Sequence, residues 1–357
     1  MYAKPPKKLL IMNILDILRK YTDENHRLGQ NEIVEILERE YSMKTDRKSV
    51  KRNLMDLIEF GYDINYSDSL RMYTNRSGEQ EESHILSDFY LNHEFTDSEL
   101  RLLVDSVMFS PHIPDRQSQQ LVKKLRGLSN VYFASSVKHI VKPPADKTDN
   151  QQIFYNIELL DEAITKGLKV KFQYTEYHTD KRLHRRRRSD GSVREYIINP
   201  YQMAAKEGKY YLICNYDKYD RIANYRIDRI FELEILNVPV KPFESLPQSG
   251  GQRLNLEEYM RKHVYMFASD DVRVEFRITK YFISDIIDMF GKDVKFSDES
   301  DQQITVTADV NEQAMEQFAK AYTPYVEIIK PVSLRERMIH NLSTGIKQYN
   351  VKGSGVN

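Results

Sequence analysis

The sequence predicts an α+β protein built from several domains. Two observations support this class: residues 7 to 75 contain three segments with helical periodicity and a hairpin pattern, and residues 168 to 238 alternate with a period of two. A third is that helix and strand patterns alternate again over residues 272 to 330. At 357 residues the chain is also long for one domain, since about 150 residues per domain is the usual expectation.

The composition restricts the classes of function. Lys plus Arg and Asp plus Glu each number 53, so a nucleic-acid surface would have to be a local patch. Cys214 is the only cysteine, which excludes an internal disulfide and fits a reducing compartment. The longest early apolar run, residues 9 to 15, is too short to span a bilayer, and no secretory signal is present. We therefore expect a cytoplasmic protein without a membrane partner.

Three helices and a wing are predicted at the N-terminus. The apolar stripes that predict the helices are Leu10, Ile14, Ile17, Leu18 and Tyr21; Ile33, Ile36, Leu37 and Tyr41; and Val50, Leu54, Leu57 and Ile58. Asp46 is the predicted N-cap of the third helix and Gly61 its end. Residues 62–75 predict two short strands joined at Ser67, Asp68 and Ser69. This order of elements is that of a winged helix-turn-helix.

The third helix is basic opposite its apolar stripe. Recognition helices place N-terminal residues at base edges, while basic side chains and backbone amides meet phosphates. The candidate DNA-binding residues are Arg47, Lys48, Ser49, Lys51 and Arg52. The alternative is an ordinary solvated helix face; the two preceding helices favour binding to double-stranded DNA.

A connecting region follows the wing. Residues 79–92 are polar and predict a linker. Thr96 and Glu99 have the spacing of a capping box before one helix, and a second helix follows at residues 115–130. The helix pair could bridge two domains or contribute to a dimer. The Pro-rich residues 141–147 predict another boundary.

Two further modules are predicted after this boundary. A helix closed by Gly167 precedes five short strands, which indicate a small, strongly bent barrel. Residues 272–330 follow the order βαββαβ, which is ferredoxin-like. A last helix, starting near residue 333, closes the chain.

The barrel segment resembles the WYL-domain transcriptional regulators. The Trp-Tyr-Leu tripeptide that names the domain corresponds to Tyr210, Tyr211 and Leu212 in this chain. The stretch that contains it, "INPYQMAAKEGKYYLIC", resembles the family's pattern of a proline, about ten residues, a glycine and an aromatic pair. The arginine-containing strand of the family corresponds to "NYRIDRI", which ends at Ile230.

The resemblance covers nearly the whole chain and implies its organisation. The expected domains are a winged helix-turn-helix at 1–80, a helical linker at 81–145, an SH3/Sm-like WYL β-barrel at 146–240 and a C-terminal WCX-like module at 255–350. It also implies a homodimer that binds an operator in double-stranded DNA. The barrel would bind a single-stranded nucleic acid or a nucleotide as effector.

Tyrosines and arginines of the barrel are the candidate ligand-binding residues. They are Tyr174, Arg188, Tyr210, Tyr211, Arg226 and Arg229. Arginine offers a planar fork to phosphate, and tyrosine offers a stacking face to a base. Strand alternation gives each strand one core face and one face for a site, so only one of Arg226 and Arg229 can enter a given pocket. The other could pair with Asp228. The run 181–188 contains six Lys or Arg residues and is either a phosphate contact or a solvated loop.

Catalytic patterns are lacking. The sequence contains no phosphate-binding Gly-rich loop, no HExxH and no GxSxG. Cys214 lies within an apolar strand pattern and is predicted to be a small buried residue. We expect no enzyme activity, no catalytic residues, no metal and no cofactor. The alternative to a regulator is an accessory protein of DNA-damage response or phage defence that binds single strands without sequence-specific regulation.

Overall fold

The structure, a computed structural model, describes residues 7–74, 80–136 and 147–351. The chain divides into two compact units, Met1–Lys147 and Thr148–Asn357. Most of the predicted Pro-rich boundary lies outside the described residues. The finer domain limits stay predictions. In the part of the chain that is described, no helix combines the length and the apolar character that a membrane crossing requires.

The first unit begins with three helices around an aliphatic core. Its elements are α1 (Leu10–Tyr21), α2 (Gln30–Tyr41), α3 (Arg47–Phe60), β1 (Ile64–Thr74), β2 (Gln80–Leu91), α4 (Asp97–Met108), α5 (Asp115–Arg126) and α6 (Val131–Ser136). Ile14, Ile33 and Leu54 are fully buried in this core. The three predicted helical stripes are therefore the faces that the helices bury against one another.

The ends of α3 follow the predicted local chemistry. Asp46 is its N-cap, and the Asp46 carboxylate accepts a hydrogen bond from the Ser49 backbone N–H at 2.9 Å. Gly61 ends the helix with φ +111°, a conformation that side chains with a Cβ rarely adopt. Both predicted boundaries are confirmed.

The predicted linker at residues 79–92 is wrong. This segment forms β2, which pairs antiparallel with β1 from Ile64↔Leu91 to Thr74↔Gln80. The predicted turn at residues 67–69 is also wrong, because β1 runs through it. Long-range backbone pairing holds a polar strand here, and only three apolar side chains of β2 are buried, Leu86, Phe89 and Leu91. So weak an alternation of apolar and polar residues does not identify a strand from one sequence.

The helical part of the first unit is a small separate cluster. Thr96 and Glu99 form the predicted capping box at the start of α4. Leu100, Val104 and Val122 are buried between α4 and α5, and Phe133 adds the short helix α6, which was not predicted.

The second unit contains a bent six-stranded sheet and a four-stranded sheet. Its elements are α7 (Ile153–Lys166), β3 (Leu168–Tyr177), β4 (Leu183–Arg185), β5 (Glu195–Lys206), β6 (Lys209–Asn215), β7 (Ile222–Arg226), β8 (Ile230–Pro239), α8 (Leu256–Lys262), β9 (Asp271–Thr279), α9 (Ile283–Phe290), β10 (Lys295–Ser297), β11 (Gln303–Asn311), α10 (Glu312–Ala321), β12 (Val326–Lys330) and α11 (Val332–Val351). The first sheet has the order β4-β3-β5-β6-β7, and β8 pairs with β3. Gly167 ends α7 in a left-handed conformation, as predicted.

Two details of this sheet correct the sequence interpretation. The basic run is not only a loop, because Leu183–Arg185 forms the short strand β4 against β3. The predicted single strand through residues 222–230 stops at Arg226, and Ile227–Arg229 is a 3-10 turn before β8. Strand alternation therefore does not set the direction of Arg229.

The two faces of β6 pack against different partners. Leu212 and Cys214 are buried in the core of the six-stranded sheet with Phe172 and neighbouring tyrosines. Ile213, on the other face, is also fully buried, in a second cluster with Tyr259. The predicted division into one core face and one site face therefore does not hold at Ile213, because the C-terminal segment that carries α8 covers it.

The C-terminal sheet follows the predicted element order βαββαβ. Its strands lie in the order β10-β11-β9-β12, and every neighbouring pair is antiparallel. Phe276, Ile286 and Phe318 join the sheet to α9 and α10 in one buried core. The long helix α11 contributes Leu334 and Met338 to the same core.

Candidate nucleic-acid interfaces

The first candidate interface is the polar face of α3. Arg47, Lys48 and Arg52 are exposed, and Lys51 is half-buried. None of these four cations forms an ion pair with another described residue, whereas the nearby Lys44 lies 3.3 Å from Glu38. The four side chains therefore bring uncompensated positive charge to the first two turns of the helix.

Ser49 has a different role from the neighbouring cations. Its hydroxyl donates to Asp46 Oδ2 at 2.9 Å, and its backbone N–H donates to Oδ1 at 2.9 Å. The bond from the backbone N–H holds the pKa of Asp46 below its usual range. Because the cap carboxylate occupies this backbone amide, contact with an anion depends mainly on the side chains of α3.

The second candidate interface lies where β7 ends. Arg226 forms two hydrogen bonds with Asp228, Nε to Oδ1 at 3.0 Å and an Nη to Oδ2 at 2.7 Å. Only 3% of the Asp228 side chain and 21% of the Arg226 side chain are exposed. The guanidinium fork that the sequence offers to phosphate is therefore already filled by a buried carboxylate.

The positive charge of Arg229 is less compensated by neighbouring groups than that of Arg226. It is half-buried, and its guanidinium lies 5.6 Å from the centre of the Tyr177 ring. Its Nε is buried and has no hydrogen-bond partner in the described part of the chain. A buried donor without a partner costs free energy, so Arg229 is the stronger candidate for an incoming acceptor.

The three candidate tyrosines have unequal access. Tyr174 is 6% exposed, with its ring among Phe172, Tyr196 and Tyr225. Burial raises the pKa of Tyr174, and its hydroxyl accepts the Arg226 backbone N–H at 3.2 Å. The ring of Tyr174 is therefore buried in the hydrophobic core. Its hydroxyl is the part of the side chain that contacts Arg226.

Tyr211 and Tyr210 point to opposite sides of β6. Tyr211 lies directly across from Arg226 in the β6–β7 register and is half-buried. Burial raises the pKa of its hydroxyl. Tyr210 packs instead against the core that Phe172, Leu212 and Cys214 form. The structure thus brings Tyr174, Tyr211 and the Arg226–Asp228 pair together at one end of the strand.

The basic run divides into paired and unpaired residues. Arg185 contacts Glu232 at 2.6 Å, and Arg186 contacts Glu176 at 2.8 Å. Arg188 is exposed, and its guanidinium forms no ion pair within the described ranges; its backbone N–H donates to Ser192 at 2.8 Å. Within those ranges, no hydrogen bond or ion pair joins the Arg188 side chain to Arg226, Asp228 or Tyr211.

Sequence reasoning missed two residues of this region. The ring of Tyr177 lies below the guanidinium of Arg229, and the guanidinium of Arg186 lies 5.2 Å from the centre of the Tyr174 ring. Arg186 was included only as one member of the basic run. The positions of Tyr177 and Arg186 depend on how β3 bends against β4 and β8. No pattern in a single sequence distinguishes Arg186 from the other basic residues of the run.

Cys214 occupies an apolar position. Its side chain is fully buried, as predicted, and burial raises the pKa of the thiol. Over the described ranges, no three His, Cys, Asp or Glu side chains are grouped to hold a metal ion.

A comparison with known families matches the barrel segment. Residues 155–235 fit the family described as WYL domain. This segment is a WYL domain. It extends from α7 into β8 and includes both Arg226 and Arg229, so the second candidate interface belongs to the WYL domain itself.

Solved structures are similar to the chain at low identity. Proteasome accessory factor B/C (PafBC) of Arthrobacter aurescens matches with 14% identity and a TM-score of 0.26, over 97% of this chain and 49% of that one. A CRISPR Cas-related protein matches with 13% identity and a TM-score of 0.35, over 99% of this chain and 88% of that one. The chain thus spans about half the length of PafBC. No curated protein matches the sequence.

Proposed function

We propose that this protein is a DNA-binding transcriptional regulator whose WYL domain senses a nucleic-acid-like or nucleotide effector. The observation that carries the proposal is the face of α3, where Arg47, Lys48 and Arg52 are exposed and have no carboxylate partner among the described residues. Three helices followed by an antiparallel strand pair support a winged helix-turn-helix, in which α3 would enter the major groove. The proposed role is binding in the cytoplasm, without catalysis.

The remaining modules are assigned in the same proposal. We assign the bent sheet of the WYL domain to the SH3/Sm-like barrels. The βαββαβ segment, with its strand order β10-β11-β9-β12, is assigned as a ferredoxin-like WCX module. A homodimer would place two copies of α3 on two half-sites of an operator, which increases affinity and fixes their spacing.

The effector site in this proposal consists of Arg229, Arg226 and Tyr211. An anionic effector would bind Arg229, whose Nε has no hydrogen-bond partner among the described residues, and would compete with Asp228 for Arg226. Tyr211 would add a ring and a hydroxyl beside them. The effector acts on DNA binding only if its affinity differs between two arrangements of the dimer.

The test is fluorescence anisotropy with the duplex upstream of the protein's own gene, alone and with short single-stranded oligonucleotides. We expect saturable binding that prefers this duplex to a scrambled one and that changes when oligonucleotide is added. The double variant Arg47→Ala/Arg52→Ala should weaken duplex binding but keep oligonucleotide binding, whereas Arg229→Ala should weaken oligonucleotide binding but keep duplex binding. Equal affinity for both duplexes, with no response to oligonucleotide, would refute the regulator and support the single-strand accessory protein.

A further inference from the structure

A cavity of about 460 Å³ lies in the second unit, away from the proposed effector site. Its wall includes Arg221 and Ile222 at the start of β7, the α8 side chains Glu258 and Tyr259, and the segment that leads into β9. Arg226 is at the other end of β7, roughly 13 Å along the strand at about 3.3 Å per residue. The cavity therefore differs from the Arg226–Arg229 surface, and its volume is typical of small-molecule sites.

The charges around this cavity balance one another. Three cations line it, Arg221, Arg253 and Lys262, and three carboxylates, Glu258, Asp270 and Asp271. Arg221 contacts Asp270 at 3.0 Å, and Lys262 contacts Glu258 at 2.8 Å. With three charges of each sign the lining has no net charge, so it gives a charged ligand no overall electrostatic attraction. The lining therefore favours a neutral ligand.

His263 places in the cavity wall a ring nitrogen, Nε2, to which no described residue is hydrogen-bonded. Its side chain is 7% exposed and its ring stacks on Tyr259 with the centroids 3.8 Å apart. Nδ1 lies 3.0 Å from the Tyr259 carbonyl oxygen, which can only accept, so Nδ1 carries the proton. Burial lowers the pKa of His263, which keeps the ring neutral and leaves Nε2 as an acceptor.

A second acceptor faces the first. Asp271 Oδ1 lies 3.6 Å from His263 Nε2, too far for a hydrogen bond, and Lys262 Nζ reaches the other Asp271 oxygen only at 3.5 Å. Two acceptors at this separation can share a donor from a third group. A hydroxyl supplies such a donor and can accept a second bond.

We propose that this cavity binds a neutral polyhydroxylated small molecule, either a free sugar or the ribose of a nucleoside. Its hydroxyls would donate to His263 Nε2 and Asp271 and would accept from Gln252 and the Asn255 amide, whose oxygen already caps α8. Phe243 offers an apolar surface to the sugar ring. This site is independent of the proposed regulatory function.

The test is isothermal titration of the full chain with compounds that differ in charge on one scaffold. D-Glucose, D-galactose and D-ribose represent free sugars, and adenosine and guanosine represent nucleosides; D-glucosamine and D-glucuronate add one charge of either sign. We expect at least one neutral compound to bind at millimolar concentration and both charged ones to bind more weakly. Binding of nucleosides but not free sugars would identify ribose as the recognised group.

Variants then locate the binding. Asp271→Asn should weaken the neutral ligand about tenfold, as expected for a lost hydrogen bond to a charged group. Glu257→Gln, an exposed position on α8 outside the cavity lining, is the matched control and should have no effect. If Asp271→Asn fails to fold, Gln252→Ala at the rim serves instead.

Three results would overturn the proposal: no binding of any neutral sugar or nucleoside, tighter binding of glucosamine or glucuronate, or unchanged binding by both cavity variants. Arg229→Ala should retain the sugar affinity of the unaltered chain. Sugar binding by the unaltered chain, with equal affinity for both duplexes and no response to oligonucleotide, would refute the proposed function alone.

Discussion

The two candidate interfaces carry similar side chains in opposite electrostatic states. On α3, Arg47, Lys48 and Arg52 are exposed and have no carboxylate partner among the described residues. In the WYL domain, Arg226 is held by buried Asp228 and Arg186 by Glu176. A count of arginines in the sequence does not separate these two states.

This difference predicts two kinds of binding. Free surface cations bind a phosphate backbone by releasing counterions, with strong dependence on salt and little selectivity. A paired, largely buried arginine must exchange one anion for another, so binding depends on geometry more than on charge. The α3 surface should therefore supply affinity, and the WYL surface should supply discrimination among effectors.

The strongest test of this contrast removes the free cations of α3. The triple variant Arg47→Ala/Lys48→Ala/Arg52→Ala should weaken duplex binding about 100-fold and reduce the salt slope by about 3, one per lost phosphate contact. Fluorescence anisotropy over a salt series measures both. Lys44→Ala removes a cation that is already paired with Glu38 and is the matched control. A slope that does not change would place the DNA elsewhere.

The cores beneath the two interfaces differ in their response to alkali. The core under α3 is mainly aliphatic, whereas the WYL core contains several tyrosines. Burial raises the pKa of Tyr216 to about 12, against about 10 for an unfolded tyrosine. This contribution to stability is present below about pH 10 and is lost as the pH rises towards 12.

Absorbance at 295 nm during an alkaline titration measures this shift in the pKa of Tyr216. A shift of about two pKa units corresponds to an increase of about 100-fold in proton affinity. Tyr216→Phe should remove one late ionisation step. If the folded protein completes all tyrosine ionisation near pH 10, the core tyrosines are accessible to solvent and the contrast fails.

Asp228→Asn tests the paired state of the WYL surface directly. Loss of the carboxylate leaves Arg226 largely buried without its counter-ion, which should lower the free energy of unfolding by about 2 kcal/mol. The freed guanidinium should at the same time bind single-stranded oligonucleotides more tightly. Urea unfolding and anisotropy measure these opposite changes. Weaker oligonucleotide binding by a folded variant would mean that Asp228 helps bind the effector.

Arg229→Ala should have a smaller effect, on binding rather than stability. Loss of one charge-assisted contact should weaken oligonucleotide binding about tenfold. Anisotropy gives the affinity, and thermal unfolding should show little change, because the Nε of Arg229 has no protein partner to lose within the described residues. Arg185→Ala, which breaks the pair with Glu232, is the matched control. A large loss of stability would assign Arg229 a structural role.

Sequence patterns predicted the features that are determined locally. Asp46 and Gly61 bound α3 because a side-chain cap and a positive φ depend on a few neighbouring residues. The same reasoning found the Thr96–Glu99 capping box and the βαββαβ order. The candidate residues of α3 were therefore predicted together with the helix that presents them.

Features that depend on distant pairing were not predicted. The 3-10 turn at Ile227–Arg229 exists because the chain must turn between β7 and β8, and β8 pairs with β3 about 60 residues earlier. That turn decides the direction of Arg229. His263 was missed for the same reason, since its burial depends on how the segment from α8 to β9 packs.

The smallest expected effect concerns Arg188. It is exposed and forms no ion pair in the described part of the chain, so it resembles the α3 cations although it belongs to the WYL domain. Arg188→Ala should weaken oligonucleotide binding less than about threefold at low salt, and the effect should vanish at about 0.5 M salt, where screening removes contributions from exposed charges. Anisotropy at two salt concentrations measures it. If Arg188→Ala instead weakened oligonucleotide binding as much as Arg229→Ala does, and the loss persisted at high salt, the effector site would include the basic run. The distinction between paired and free cations would then not explain which residues bind the effector.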